Sequence, residues 1–193
     1  MKDLAPGLIE TSRLLLVPLP FEAYGLLLAG RNVEAERLVG LSLDGSRLAE
    51  LAPLIRYQYD QLQQDPTQVA WLVRLIRLRD HPTVVGDIGF HAPPDDNGMV
   101  EIGYTILQQY RRQGFAMEAA MAMAGWAANH PRVRTLRASI SPDNEPSLRL
   151  ARGLGMVEVG RQMDEIDGEE IVLEVPLPFG SDARSWRRQA PVS

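Results

Sequence analysis

Six consecutive residues, Arg111-Arg112-Gln113-Gly114-Phe115-Ala116, form the pattern with the most direct chemical reading. They lie between Met99 to Leu107, which alternates like a strand, and Gly114 to Asn129, which is alanine-rich with helical periodicity. The first turn of a helix presents N–H groups that have no intrahelical acceptor, and the helix dipole adds partial positive charge there. A phosphate or diphosphate can sit at such a turn when no side chain fills it. Gly114 leaves that space, Ala116 keeps the next approach small, and Arg111 and Arg112 add positive charge. The chain has no Walker-type glycine-lysine loop, so the pattern is an anion cradle of another kind. Read alone, Gly114 is also what an ordinary strand-to-helix turn carries.

Other candidates are more ambiguous. Alternation puts Val100, Ile102, Tyr104 and Ile106 on one side of the Met99 to Leu107 strand, and Glu101, Gly103 and Thr105 on the other. Glu101 is either a carboxylate placed to take a proton or a solvated charge on a sheet face. Asn144 precedes a helix-like run, Glu145 to Gly153, and is first of all an N-cap, a role compatible with contact to a ligand. Ser147 would sit in the first turn, where serine is also common for local reasons. His81, His91 and His130 lack metal-ligand spacing and read as turn or surface residues, with His91 at a strand end where it could still line a site. No metal site is expected. Trp71 and Trp126 read as core. Trp186, among Arg184, Arg187 and Arg188, belongs to a basic run too short to argue for nucleic acid and reads as a tail or oligomer contact.

The elements that must position these residues read as follows. Thr11 to Val17 is a strand closed by Pro18 and Pro20. Phe21 to Ala29 is a helix, and Ser46 to Leu62 a second, with Ser46 a candidate N-cap and Pro53 a point where it could split. Gln68 to Leu78 reads as one long strand, and Thr83 to Phe90 pairs with Met99 to Leu107 as a hairpin around Ala92 to Gly98. Gly114 to Asn129 is the strongest helix, with a stripe of Phe115, Ala119, Ala122 and Trp126 and a stop at Pro131. Val133 to Ile140 is a strand, and Met156 to Gln162 with Glu169 to Val175 a final pair around Asp167 and Gly168. The layout is α/β with a central mixed sheet, as one domain over residues 1–179 and a polar tail over 180–193.

Composition narrows the classes. With 193 residues, 45% apolar and 23% charged, the chain can bury a core. It contains no cysteine, which excludes disulfides, thiolate zinc sites and a cysteine nucleophile. A net charge of −5 argues against a general nucleic-acid binder and suits a cationic substrate. No signal-type segment and no apolar run of about 20 residues is present, so a cytoplasmic, non-membrane protein is expected.

Three segments carry a resemblance. Gln109 to Ala119 (QYRRQGFAMEA) resembles the acetyl-CoA signature of the GNAT superfamily of N-acetyltransferases, with Arg111, Gly114 and Ala116 at its fixed positions. Asn144 to Met156 (NEPSLRLARGLGM) resembles a later segment of the same superfamily, and Glu10 to Leu16 (ETSRLLL) looks like the first strand of its RimJ/RimL branch. The resemblance implies a GNAT fold: a mostly antiparallel mixed sheet of about six to seven strands with about four helices. It implies acetyl-CoA as donor and a primary amine as acceptor, either a protein N-terminus or a small molecule, by direct transfer in a ternary complex. Backbone N–H groups of Arg112, Gln113, Gly114, Phe115 and Ala116, with Arg111 beside them, would hold the diphosphate. The edge from Tyr104 to Leu107 would pair with pantetheine, a bulge would part it from Val133 to Ile140, and an N–H near Ile106 or Leu107 would polarise the thioester. Asn144 and Ser147 would contact pantetheine or the sulfur, with Glu101 as base and Ser147 as hydrogen-bond donor to the leaving thiol. Ala151 departs from the pattern, since many members place a tyrosine acid there, so Ser147, Tyr104 or water must substitute. That departure keeps a rival open, a non-catalytic acyl-CoA sensor. Acceptor choice is assigned to Phe21 to Leu62 and Asp164 to Glu169, and a homodimer is a further expectation of the resemblance.

Overall fold

Leu14 and Leu16 are fully buried while Leu15 is not, the alternation of a strand with one face on a core. This is β2 (Leu14–Pro18), preceded by a short β1 (Ile9–Glu10). The computed structural model describes residues 7–42, 45–165 and 168–179; Asp167, the tail with Arg184, Trp186, Arg187 and Arg188, and the side chain of Ser46 lie outside the described residues. The chain clusters into two compact units, residues 1–93 with 103–122 and residues 94–102 with 123–193.

In the first unit, β1, β2, β3 (Arg74–Leu78) and β4 (Val84–Phe90) pair antiparallel in sequence order, and β5 (Met99–Ile106) lies next to β4. Three helices join β2 to β3: α1 (Phe21–Leu28), α2 (Asn32–Val39) and α3 (Gly45–Gln64). Their apolar faces and β3 bury one core, including Leu19, Ala23, Tyr24, Leu51, Ile55 and Leu75. Helix α2 has no counterpart among the expected elements; Gly40, at φ 70°, ends it by returning its N–H to Glu36 O at 2.8 Å. Pro53 lies inside α3 and does not split it. The expected long strand from Gln68 is corrected: Pro66–Ala70 is a 3-10 turn, because the Asp65 side chain accepts the Thr67 N–H at 3.0 Å and Pro66 suits the first turn.

In the second unit, the start of β5 pairs in parallel with β6 (Thr135–Ile140), β6 pairs antiparallel with β8 (Gly168–Pro176), and β8 with β7 (Val157–Asp164). Strand β5 belongs to both ladders, giving the hydrogen-bonded order β1-β2-β3-β4-β5-β6-β8-β7. The sheet is therefore mixed and mostly antiparallel, with eight strands and five α-helices among the described residues, where about six to seven strands and about four helices are expected. The fourth helix, α4 (Phe115–Ala128), buries Phe115, Ala119, Ala120, Met123, Ala124 and Ala127. Ala122 and Trp126 are only half-buried, so the stripe sits one position round from the expected one. The last helix, α5 (Glu145–Gly153), buries Leu148 and Ala151.

Candidate functional site

The turn between β5 and α4 is built from two left-handed residues. Gly114 has φ 79° and Arg112 has φ 61°, the one non-glycine residue with positive φ among those described. A long cationic side chain in that region is strained, and such outliers concentrate where backbone direction matters. Arg111, Arg112, Gln113 and Gly114 are all exposed. The first helical hydrogen bond of α4 is Glu118 N–H to Gly114 O at 3.1 Å, so the N–H groups of α4 before Glu118 have no intrahelical acceptor, whereas Arg111 N–H donates to Gln108 O at 3.3 Å. Left-handed residues next to ordinary ones gather such N–H groups into a concavity that suits an anion.

The turn is pinned at both ends. Arg111 Nε donates to Ile106 O at 2.9 Å, tying the turn to the end of β5. Leu107 N–H donates to Val85 O at 2.9 Å, so of the two N–H groups expected to polarise a thioester, that of Leu107 is already engaged with β4. Neighbouring N–H groups along a strand point to opposite edges, so the Ile106 N–H points away from β4. Gly86 allows this close approach, since a Cβ there would collide with the Thr105 carbonyl oxygen. Tyr104 is half-buried and Ile106 is buried at the end of β5. His91 is exposed, with its Nε2 3.0 Å from where a Gly103 Cβ would stand, so its ring overlies β5 at that glycine.

A second clasp on this turn was not legible as such. Glu118, in the first turn of α4, receives Thr11 Oγ1 at 2.6 Å, Ser12 Oγ at 3.1 Å and Arg13 N–H at 2.9 Å on one oxygen. Arg13 Nε and Nη2 reach its other oxygen at 2.7 and 2.6 Å. Arg13 also lies 4.8 Å over the Phe115 ring and donates to Gln113 O at 3.0 Å. In the sequence Thr11, Ser12 and Arg13 read only as the start of a strand. Partners more than 100 residues apart leave no local signal.

Burial pushes the Glu118 carboxyl up, but the bonds from Thr11 and Arg13 and the Arg13 charge outweigh it and hold it below the usual glutamate range. A depressed folded pKa gives stability that is present above the unfolded value, near ~4.3, and lost as pH falls through the folded value. Glu118→Gln is therefore expected to be less stable than wild type at neutral pH, with the gap closing on acidification. Urea unfolding at neutral and acid pH measures this, and a gap independent of pH contradicts it.

In the second unit, Glu101 is half-buried on β5, opposite Arg137 on β6. The Arg137 fork is taken by Glu174 at 2.8 and 2.5 Å, and among the described residues Glu101 forms no ion pair. Asn144 caps α5 as expected: its side-chain oxygen accepts the Ser147 N–H at 3.3 Å. Ser147 is half-buried, and Ala151, at the usual tyrosine position, is buried in the core. No group of three or more His, Cys, Asp or Glu that could hold a metal ion occurs among the described residues, and no described helix is long and apolar enough to cross a membrane.

Residues 13–157 match the acetyltransferase (GNAT) domain family, and the chain belongs to that family. Among curated relatives, the uncharacterized N-acetyltransferase YjdG of Bacillus subtilis is 35% identical over 83 residues, which is 43% of this chain and 49% of that protein, about half its length. YoaA, another uncharacterized N-acetyltransferase of the same organism, is 29% identical over 154 residues, 79% of this chain and 84% of that one. Among solved structures, RimL, a ribosomal L7/L12 alpha-N-protein acetyltransferase in complex with coenzyme A, shares the fold with TM-score 0.60 at 16% identity, covering 88% of this chain and 97% of that one.

Proposed function

We propose that this chain is an N-acetyltransferase of the RimJ/RimL type, transferring the acetyl group of acetyl-CoA to a primary amine while both substrates are bound. The observation that carries this reading is the turn from Arg111 to Ala116, exposed from Arg111 to Gly114, with Arg112 and Gly114 left-handed and the N–H groups of α4 opening onto it. A diphosphate meets there the amides of Arg112, Gln113, Gly114, Phe115 and Ala116 and the positive end of a helix. The family match and the N-acetyltransferase names of the curated relatives support the reaction class, and RimL, of the same fold, is solved with coenzyme A.

The amine must lose a proton, because an ammonium has no lone pair. Its nitrogen then attacks the thioester carbonyl carbon, the carbon–sulfur bond breaks, and the thiolate leaves and takes up a proton, giving an amide and free CoA. In this reading Glu101, which forms no ion pair among the described residues, takes the amine proton directly or through water. The Ile106 N–H polarises the carbonyl. Asn144 holds the start of α5, and Ser147 donates to the leaving sulfur. Ala151 leaves no tyrosine acid at its position, so the hydroxyl of Ser147 or Tyr104, or water, supplies that proton.

Three measurements test the reading. Coenzyme A at about 100 times its Kd should stabilise the protein by about 2.7 kcal/mol in thermal or urea unfolding, and no stabilisation at any concentration defeats it. Thiol release from acetyl-CoA should appear with at least one of a panel of peptide N-termini and small amines; CoA binding without release throughout the panel would instead indicate a sensor. Glu101→Gln should lower turnover most at pH values below that at which the amine deprotonates unaided. A pH–rate profile identical to wild type removes Glu101 from the mechanism.

A further inference from the structure

We propose that Arg13 is a positioning residue for the diphosphate turn, holding the Gln113–Gly114 peptide in its binding orientation and cancelling the Glu118 carboxylate that α4 places one turn behind it. This rests on the turn being the coenzyme A site.

Two independent geometric facts carry it. The first is orientation. Arg13 Nη1 holds the Gln113 carbonyl at 3.0 Å. In a trans peptide the carbonyl and the following N–H point in opposite directions, so fixing Gln113 O on the Arg13 side aims the Gly114 N–H away from it. Gly114 is exposed, and Arg13 Nη2 stands 3.3 Å from where its Cβ would be. The ring of Phe115 under the guanidinium blocks its retreat on one side. The second fact is charge. A glutamate in a first turn suits the helix dipole, but next to a bound diphosphate it is a like charge. Arg13 meets that carboxylate through both Nε and Nη2, and its own main-chain N–H bonds the other oxygen. The Glu118 charge is thereby neutralised at its source, leaving Arg111 and Arg112 as the net charge of the turn. The Arg13 side chain is half-exposed, so the pair borders solvent where a ligand can feel it.

The two facts make opposite demands on single and double variants. Arg13→Gln should raise the Kd for coenzyme A, measured by calorimetry on the full chain, by about tenfold or more, since Glu118 is left uncompensated beside the diphosphate. Arg13→Gln with Glu118→Gln should bind at least about threefold tighter than Arg13→Gln alone, because the repelling charge is gone. The Arg13→Gln deficit should also shrink as salt rises from about 0.05 to 0.5 M, because repulsion is screened. A purely structural clasp predicts the reverse: a double variant at least as weak as the single one, and a deficit indifferent to salt. Glu118→Gln alone, which loosens the clasp but removes the repelling charge, should lose less affinity than Arg13→Gln. Arg13→Lys, which keeps a cation but not the fork that meets Glu118 and Gln113 O, should bind at least about threefold more weakly than wild type and keeps the test open if Arg13→Gln fails to fold. A Kd within twofold of wild type for Arg13→Gln or for Arg13→Lys, or a double variant no tighter than the single, overturns the proposal. Wild-type protein that does not bind coenzyme A, or a Gly114→Trp variant that binds it normally, instead overturns the placement of the site.

Discussion

Gly114→Trp is expected to abolish coenzyme A binding while the chain still folds. Gly114 sits at φ 79°, so any side chain there incurs left-handed strain of about 1–2 kcal/mol. That cost is shared by Gly114→Ala, which serves as the control. A methyl group reaches only Arg13 Nη2, the end of a flexible side chain 3.3 Å away, and leaves most of the turn open. An indole occupies the space over the N–H groups of the turn, where the diphosphate must lie. Alanine should therefore lower stability with a modest loss of affinity, whereas tryptophan should lower stability similarly and bind coenzyme A at least about a hundredfold more weakly. Calorimetric titration of both variants, with unfolding curves to match, separates strain from occlusion. Undiminished affinity in the tryptophan variant would refute the placement of the phosphates.

What could be read along the chain was whatever rests on near neighbours. The alternation of Met99 to Leu107 became β5, and the alanine-rich run after Gly114 became α4. Asn144 capped α5 from three residues away. Errors arose where a local signal was outweighed. Gln68 to Val73 has strand composition, but Asp65 and Pro66 just before it set a 3-10 turn, and only Arg74 onward pairs. Helix α2 is short and charged, and its clearest mark is a single glycine, Gly40. The candidate site divides in the same way. The Arg111 to Ala116 turn is contiguous and could be recognised, yet what steadies it comes from Thr11, Ser12 and Arg13, whose bonds to Glu118 cross more than 100 residues. That Leu107 rather than Ile106 spends its N–H on Val85 depends on which edge of β5 meets β4, and pairing partners are not written in the alternation itself.

Asp87→Ala is expected to destabilise the protein by about 3–5 kcal/mol, more than any surface change, because it removes the buried carboxylate that faces an almost fully buried guanidinium. Asp87 lies on β4 in register with Leu75, a residue of the core under α1 to α3. Arg47 reaches it from α3, and both are almost fully buried, at 4% and 7% exposure. Glu50 also bonds Arg47, at 2.7 Å, but from the solvent side, so it compensates only part of the charge. The pair is not for that reason a net source of stability. Burial pushes the Asp87 carboxyl up, and the Arg47 charge, which lowers it, does not overcome that. A carboxyl with a raised folded pKa is a cost of ionisation that is absent below its unfolded value and grows as pH rises through the folded value. Replacing both partners by apolar residues of similar volume, Arg47→Met with Asp87→Leu, removes both buried charges and that cost together. The double variant should therefore lie within about 1 kcal/mol of wild type or above it, recovering most of what Asp87→Ala loses. Urea unfolding of wild type, the single and the double variant measures all three. An Asp87→Ala variant within about 1 kcal/mol of wild type would mean that water reaches Arg47 and that the pair is not the buried, desolvated contact on which the expected loss depends.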